Sequence, residues 1–265
     1  MVWCGLHRGS SRVIKLNGVV AKAATLFGKA LKMGKIFDFK FMIEIIPSIL
    51  KGIPFTLAIA LVGFSVGIII GLFGALFKIY KVPVLNKLTG LYVSFVRGTP
   101  LVVQILLIYY AFPILIKIIN FKFGTNINIS WIPAVVFMFI AYSLNAGAYL
   151  TESIRAAIQA VDKGQMEAAQ SVGMTMPQAM IRIVLPQAAK ISLPVFANFF
   201  IGMMKDTSLA FTAAVPEIMG QAKIQAGRAS RFFEAYIDAA LIYWALCIIL
   251  ERIVAIIEKN NKESA

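Results

Sequence analysis

Residues 155–190 read RAAIQAVDKGQMEAAQSVGMTMPQAMIRIVLPQAAK, a charged and amphipathic insert in an otherwise very apolar chain. The first half of this insert predicts a short helix. Asp162 is a candidate N-cap because Gln165 follows three residues later, which is the spacing of a capping box. Gly173 is a candidate left-handed residue at the C-terminal end of the same helix. The insert therefore begins with a helix that has a defined start and a defined stop.

The second half of the insert predicts another short helix. Thr175 has Gln178 three residues later, and Pro177 falls in the first turn, where its missing N–H is tolerated. Leu185-Pro186 is expected to end or bend this helix, because the residue before a proline avoids the helical conformation. On their own, two capped helices fit a hairpin lying on a membrane surface as well as they fit a docking element.

The spacing of small and polar residues in the insert resembles the EAA loop of ABC importer permeases. Glu167-Ala168-Ala169 is followed by Gly173 and then by Ile183-Val184-Leu185-Pro186, at the positions that this loop requires. In that family the loop is a cytoplasmic coupling helix that docks in a groove on the ATP-hydrolysing subunit, a case of helix-in-groove recognition. The resemblance implies an ATPase-coupling role for Glu167, Ala168, Ala169, Gln170, Gly173, Leu185 and Pro186.

Composition places the chain in the membrane. Its 265 residues are 60% hydrophobic, with a mean hydropathy of +0.83, which excludes a soluble globular domain. The net charge of +14 fits Lys and Arg at membrane interfaces, and no basic and aromatic face for nucleic acid is present. His7 is the only histidine, and Cys4 and Cys247 are far apart, so neither histidine catalysis nor a metal or disulfide framework is expected.

Five apolar runs predict an all-α membrane protein with about five transmembrane helices. The first run is uncharged and long enough to cross a bilayer core of about 30 Å. Its Gly63, Gly67 and Gly71 lie four residues apart and predict close packing against another helix. Within a permease domain at 33–258, the expected spans are 54–77, 91–119, 131–150, 191–215 and 236–257, with the coupling loop at 155–190 and a short tail at 259–265.

Residues 1–32 differ from the rest of the chain in charge. They contain six Lys and Arg and no acid, and no apolar stretch of adequate length follows, so a signal peptide is not expected. Met33 begins a segment that looks like the usual start of such permeases. We expect 1–32 to be a dispensable extension, produced by the choice of start codon. The alternative is a basic tail on anionic lipid.

Three of the spans contain polar residues that a bilayer interior disfavours. Arg97-Gly98-Thr99-Pro100 interrupts the second span, whereas Asn145 and Glu152 lie seven residues apart, on one face of the third. The fourth span contains Lys205-Asp206-Thr207-Ser208. A charged side chain at the centre of a span costs about 2.5–3.5 kcal/mol, so these groups are expected to face protein or a wet cavity.

Each of these residues also has a purely structural interpretation. Arg97 fits an interfacial anchor, and Asn145 fits a hydrogen bond between helices. Glu152 fits an ion pair with Arg155 or Arg97, while Lys205-Asp206 fits buried ion pairs that fix helix packing. The spacing alone does not separate these roles from contact with a substrate.

Taken in chain order, the motifs resemble those of ABC permeases for polar amino acids. RGTP at 97–100, the GAYL run at 147–150 with Glu152 and Arg155, the EAA loop, and KDTSL at 205–209 all match that family. The resemblance covers residues 33 to about 258 and implies the type I importer permease fold. It implies a substrate path formed by Arg97, Asn145, Glu152, Asp206, Thr207 and Ser208.

The resemblance also implies a mechanism, alternating access that imports a polar or charged amino acid. Two permeases, either identical or sister chains, are expected to sit on two ATPase subunits and to receive the amino acid from an extracytoplasmic binding protein. The chain has no G-x-x-x-x-G-K-[ST] loop, so ATP and Mg²⁺ are expected on the ATPase. No cofactor, metal or catalytic residue is expected in this chain, which is therefore not expected to be an enzyme.

Two other classes of membrane protein remain open from the sequence. An ion-coupled secondary amino acid carrier would use Lys205 and Asp206 as a coupling pair, but it has no use for an EAA loop. A scaffold or receptor component would use the loop to bind a partner and would show no flux. Neither alternative accounts for the whole set of motifs.

The EAA loop sets the expected orientation in the bacterial cytoplasmic (inner) membrane. With this loop in the cytoplasm and five spans, the N-terminus is outside and the C-terminus inside. From Met33 onward, inside segments hold eleven Lys and Arg against eight outside, a weak positive-inside bias that residues 1–32 reverse. The motif, and not the charge rule, therefore carries the orientation. The sequence does not identify the amino acid.

Overall fold

The computed structural model describes residues 37–128 and 131–263, with side chains as far as Ile257. Residues 1–32 lie outside this part. In it, a π-helical segment, Met180–Val184, joins α7 to α8, and a 3₁₀ segment, Thr207–Ala213, follows α8. The α-helices are α1 Phe39–Leu50, α2 Ile53–Ile79, α3 Leu85–Gly98, α4 Leu101–Phe123, α5 Ala134–Ala160, α6 Lys163–Ser171, α7 Met176–Ala179, α8 Leu185–Asp206, α9 Ile218–Ala229 and α10 Phe232–Glu263.

Five helical segments in the described residues are long and apolar enough to cross a membrane. At 1.5 Å per residue, each exceeds the roughly 20 residues that a bilayer core requires. The prediction of an all-α fold with five transmembrane helices is confirmed. The segments are Ile53–Ile79, Leu101–Phe123, Ala134–Ala160, Met176–Ala213 and Phe232–Ile257.

The most extensive contact in the fold joins α2 to α5, and glycine makes it possible. A Cβ atom placed on Gly67 would lie 2.5 Å from Cβ of Ala146, and one on Gly71 would lie 2.9 Å from Cβ of Leu150. Real carbon atoms do not approach so closely, so the two backbones touch only because these side chains are hydrogen. The close packing predicted from the glycine spacing is confirmed.

The segment expected to form the second span is divided into two helices. Thr99 is extended, with φ −121° and ψ 147°, so α3 ends at Gly98 and α4 begins at Leu101. The residue before a proline avoids the helical conformation, which explains a full break at this point. The interruption predicted at 97–100 is therefore found, as a complete break. The spanning helix is Leu101–Phe123, so the predicted span at 91–119 begins too early, inside α3.

The helices on either side of the insert extend further into it than predicted. α5 continues to Ala160, and the helix of the fourth span already begins at Met176. Leu185-Pro186 does not end the helix, because the π-helical turn before it shifts the hydrogen bonds around the missing proline N–H. Hydropathy marks the part of a helix that lies in lipid, so it underestimates spans whose ends are polar.

A second core, separate from that of the spans, packs α1 and α9 against the start of α10. Ile45 and Ile49 of α1 belong to the same buried cluster as Ala222 and Ala226 of α9. Neither helix was predicted, because each has only 12 residues and is too short to be a membrane span. The carboxylate of Asp38 caps α1 by accepting from the Phe41 N–H at 3.0 Å.

Candidate functional site

The first helix of the insert has the predicted caps. Asp162 Oδ1 accepts from the Gly164 N–H at 2.7 Å. At the other end Gly173 has φ +85°, its N–H donates to Gln170 O at 2.9 Å, and the Met174 N–H donates to Ala169 O at 3.1 Å. This pair of bonds is the Schellman pattern that ends a helix at a left-handed residue. Both predicted ends are confirmed.

The second half of the insert turns the chain back towards the membrane-spanning bundle. The backbone N–H of Thr175 donates to Gln178 Oε1 at 2.9 Å, which is one half of the predicted capping box. Further along, Gln187 Nε2 donates to Gln165 Oε1 at 3.2 Å and so connects α8 to α6. The insert is therefore held together by its own hydrogen bonds.

Most of the residues expected to couple to an ATPase are exposed, and these exposed residues of the insert are called here the docking face. The side chains of Glu167, Ala168 and Gln170 are exposed, and Gly173 and Pro186 are exposed beside them. The insert also exposes two large apolar side chains, since Val172 is 75% exposed and Ile181 is 65% exposed. Exposed apolar groups next to a carboxylate and an amide are what a helix-in-groove contact uses.

Ala169 and Leu185 lie on the inner side of the insert. Ala169 is only 3% exposed, because α6 packs against the π-helical segment at this position. Leu185 is half-buried against the main core. Their small or apolar side chains hold the insert together, whereas Ala168 is the alanine that a partner can reach.

A cavity of about 390 Å³ opens between α5, α8 and the break between α3 and α4. The predicted residues Asn145 and Asp206 both line it. Asn198, Gly202 and Asp206 are four residues apart, so they present one face of α8 to the cavity. The remaining lining residues are Thr99, Leu101, Tyr149, Phe199 and Met203.

The other predicted path residues lie at different distances from this cavity. The Arg97 guanidinium lies 5.5 Å from the ring centroid of Tyr149, a cation–π contact at the cavity edge. Thr207 is buried and donates to Met204 O at 2.6 Å, and Ser208 is half-buried. Neither lines the cavity. Within the described residues Lys205 and Asp206 are exposed and form no ion pair, so the ion pairs weighed for them are not found.

Residues missed in the sequence complete the cavity wall. Thr99 and Tyr149 lie in recognised motifs, but their side chains were not singled out. Asn198 precedes Asp206 by eight residues, a helical spacing that was available in the sequence. Gln104 does not line the cavity, but its Oε1 accepts from Asn145 Nδ2 directly, and it lies in an apolar stretch of α4.

Glu152 lies apart from the cavity, between two basic side chains. One oxygen accepts from Lys78 Nζ at the end of α2, and the other accepts from Arg155 Nη2 at 2.7 Å. The predicted pairing with Arg155 is confirmed, whereas Arg97 contacts Tyr149 instead. This cluster joins α2 to α5 just before the insert begins.

Breaking this cluster is expected to destabilise the fold. The side chains of Lys78 and Glu152 are 23% and 19% exposed, so Lys78→Glu leaves repelling carboxylates in partly buried positions. We expect a loss of about 2 kcal/mol in the free energy of unfolding, and recovery of much of it on adding Glu152→Lys. Thermal unfolding in detergent measures both changes.

The exposed ion pair of α1 is the matched control. Lys40 and Glu44 are 87% and 59% exposed, so Lys40→Glu is expected to change stability by less than about 1 kcal/mol. A structural ion pair at Glu152 is contradicted if Lys78→Glu and Lys40→Glu lower the free energy of unfolding equally. It is also contradicted if adding Glu152→Lys to Lys78→Glu restores none of the lost stability.

A buried carboxylate connects the second core to the spans. Glu217 is fully buried at the start of α9 and accepts from the N–H groups of Met219 and Gly220 at 2.8 and 2.7 Å. It also accepts from Tyr243 Oη at 2.6 Å. Burial raises the pKa of Glu217 from its ordinary value of 4.5 to about 7, although these hydrogen bonds act to lower it.

This raised pKa predicts a stability that falls as pH rises. The folded state holds the Glu217 proton more tightly than the unfolded state, so the stabilisation is complete below about pH 4.5 and is lost through about pH 7. Thermal unfolding between pH 5 and pH 8 is expected to show this slope in the wild type and a flatter one in Glu217→Gln. The exposed Glu44→Gln variant is expected to retain the wild-type slope, and a wild-type slope in Glu217→Gln contradicts the assignment.

Comparison with known proteins agrees with this architecture. Residues 63–263 match the family described as binding-protein-dependent transport system inner membrane component. The chain belongs to this family, and its fold is that of the type I ABC importer permeases. The chain is 35% identical to one in a crystal structure of an amino acid ABC transporter with histidines, with a TM-score of 0.71 over 84% of this chain and 99% of that chain.

Curated relatives are permeases of ABC transport systems. The chain is 46% identical to the probable amino-acid ABC transporter permease protein PatM of Vibrio harveyi, over 82% of this chain and 93% of that protein. It is 39% identical to the L-cystine transport system permease protein TcyB of Bacillus subtilis (strain 168), over 81% of this chain and 86% of that protein. These similarities agree with the family that the EAA loop and the RGTP and KDTSL motifs indicated.

Proposed function

We propose that this chain is the translocation subunit of an ATP-driven importer that moves a polar or charged L-amino acid into the cytoplasm by alternating access. One observation carries the proposal. The insert connects α5 directly to the helix of the fourth span, and these two helices supply Asn145 and Asp206 to the cavity. A force applied to the docking face by an ATPase therefore acts on two walls of the cavity through continuous helices.

The docking face and the cavity are connected by short, continuous helices. Asn145 and Ala160 belong to one helix and are separated by about 22 Å at 1.5 Å per residue. On the other side a helical path runs from Met176 to Asp206. Nucleotide binding on the ATPase biases one of two arrangements of these helices, and the loaded binding protein biases the same equilibrium.

The cavity and the relatives together support an amino acid as substrate. Asp206 and the amides of Asn145 and Asn198 provide polar contacts next to Tyr149 and Phe199, as a small zwitterion with a side chain requires. The carboxylate of Asp206 suits a substrate ammonium group. The relatives named above are an amino-acid and an L-cystine permease, so the family handles amino acids of differing side chain.

The proposal defines the partners and the orientation. Two permeases, as identical or sister chains, bind two copies of an ATPase subunit and one extracytoplasmic amino-acid-binding protein. The docking face lies in the cytoplasm, so five spans place the N-terminus outside and the C-terminus inside the bacterial inner membrane. ATP and Mg²⁺ bind to the ATPase, and this subunit binds no cofactor and catalyses no reaction itself.

Uptake by the reconstituted complex tests this function. The chain is placed in liposomes with the ATPase and binding protein that co-purify with it, and a mixture of ¹³C-labelled L-amino acids is supplied outside. Uptake of one or a few amino acids that requires ATP inside and the binding protein outside is the expected result. Uptake driven by a proton or sodium gradient without ATP overturns the proposal in favour of a secondary carrier.

A further inference from the structure

The break between α3 and α4 leaves backbone carbonyls that need hydrogen-bond donors. In a continuous helix Val96 O accepts from the N–H of residue 100, but Pro100 has none. The side chain of Gln104 replaces that donor, because its Nε2 lies 2.7 Å from Val96 O and 3.0 Å from Thr99 O. Gln104 is only 6% exposed, so these bonds are made inside the protein.

These bonds determine which way the Gln104 amide points. Carbonyl oxygens only accept hydrogen bonds, so the end of the amide that faces Val96 O and Thr99 O must be the NH₂ group. The opposite end, Oε1, lies 3.0 Å from Asn145 Nδ2. An oxygen at that position requires a donor, which means that the NH₂ group of Asn145 must face Gln104.

The orientation of Asn145 follows from that of Gln104. One N–H of its NH₂ group donates to Gln104 Oε1, and in the described part of the chain Asn145 Oδ1 receives no hydrogen bond. Asn145 lines the cavity together with the carboxylate of Asp206. Oδ1 is therefore the acceptor that Asn145 offers to a ligand, and it is the second acceptor group beside the carboxylate of Asp206.

We propose that Gln104 is a positioning residue for substrate binding, which presents Asn145 to the cavity as a hydrogen-bond acceptor. The cavity then favours a substrate group that carries N–H donors, such as the ammonium group of an amino acid, and disfavours an acceptor at the same place. This inference rests on the proposed function and adds a residue that does not line the cavity.

Uptake kinetics test the positioning role. In proteoliposomes supplied with the ¹³C-labelled L-amino acid mixture, Gln104→Leu is expected to raise the half-saturating concentration about tenfold and to leave the maximal rate within about twofold. Asn145→Leu is expected to have the same effect. Because Gln104 acts through Asn145, the double variant is expected to bind no more weakly than Asn145→Leu alone.

Tyr92→Phe is the matched control. The Tyr92 hydroxyl donates to Leu144 O, so this variant also removes a hydrogen bond to α5 one residue from Asn145. It leaves the Asn145 amide in place, and we expect a wild-type half-saturating concentration. The positioning role is overturned if Gln104→Leu lowers the maximal rate. It is also overturned if the double variant has a higher half-saturating concentration than Asn145→Leu alone.

A second measurement does not depend on transport, and its exchange rates are read from the wild-type protein. In the wild-type protein labelled with ¹⁵N-asparagine, the side-chain NH₂ of Asn145, assigned by its loss in Asn145→Asp, is expected to exchange with D₂O more slowly than that of the exposed Asn198. Equal exchange rates overturn the inference. A wild type that imports no amino acid but shows slow exchange contradicts the proposed function and leaves the orientation of Asn145 intact.

Discussion

Combining Glu167→Lys with Gly173→Asp is expected to weaken binding of the ATPase to this chain about 100-fold or more. Glu167 is exposed on the docking face, and under the proposed function its carboxylate faces the ATPase, so a lysine reverses the charge at that contact. Gly173 has φ +85°, which a residue with a side chain adopts only under strain. Central interface residues contribute about 2 kcal/mol or more each, and 1.4 kcal/mol corresponds to a tenfold change in Kd. Titration of the ATPase onto the chain in nanodiscs measures the change.

The control for this prediction reverses a charge outside the insert. Glu44 is exposed on α1, outside the insert, so Glu44→Lys is expected to bind the ATPase with the wild-type Kd. Both variants should insert into nanodiscs at wild-type yield. A Kd that is unchanged in the Glu167 and Gly173 variant shows that the docking face is not where the ATPase binds.

Gly67→Val is expected to lower the free energy of unfolding by about 3 kcal/mol, the largest stability effect among the glycines considered. A Cβ at this position lies 2.5 Å from Ala146 Cβ and 3.2 Å from the backbone nitrogen of Gly147. Backbone atoms cannot rotate away, so α2 and α5 must separate along their most extensive contact. Thermal unfolding in detergent is expected to show a midpoint lower by roughly 5–10 °C.

The same substitution at Gly90 provides the comparison. Apart from its chain neighbours and the nearby backbone of its own helix, no heavy atom of the described residues lies within 4 Å of a Cβ placed on Gly90. Gly90→Val is therefore expected to change stability by less than about 0.5 kcal/mol. If both valine variants unfold at the same temperature, the close contact of α2 and α5 is not what stabilises the bundle.

Local rules in the sequence predicted much of the fold and the insert. Asp162 caps the start of α6, and Gly173 follows its end in the left-handed conformation, as the sequence predicted. Both features could be predicted because a helix cap depends only on residues within about one turn. The glycines of α2 face α5 because their spacing matches the helical period. The number of spans follows from length and hydropathy, which are also local properties.

The features that the sequence did not predict depend on distant residues. The pairing of Glu152 with Arg155 could be predicted because the two residues are three apart in the sequence. The pairing of Glu152 with Lys78 could not, because these residues are 74 apart. Gln104 looks like an isolated polar residue in an apolar run until the break at Thr99 and the side chain of Asn145 are placed around it. Hydropathy does not detect helix ends that consist of polar residues. The helices of the third and fourth spans are therefore longer than the spans predicted from the sequence.

ATP-driven uptake by the docking-face variant tests the coupling claim most directly. Proteoliposomes with the ATPase, the binding protein and ATP inside are compared for the wild type, the Glu167→Lys and Gly173→Asp double variant, and Glu44→Lys. The account predicts that uptake of ¹³C-labelled L-amino acids falls to background in the double variant alone, with all three chains inserted equally. Uptake by the double variant at the wild-type rate contradicts the claim that residues 155–190 couple this chain to ATP hydrolysis.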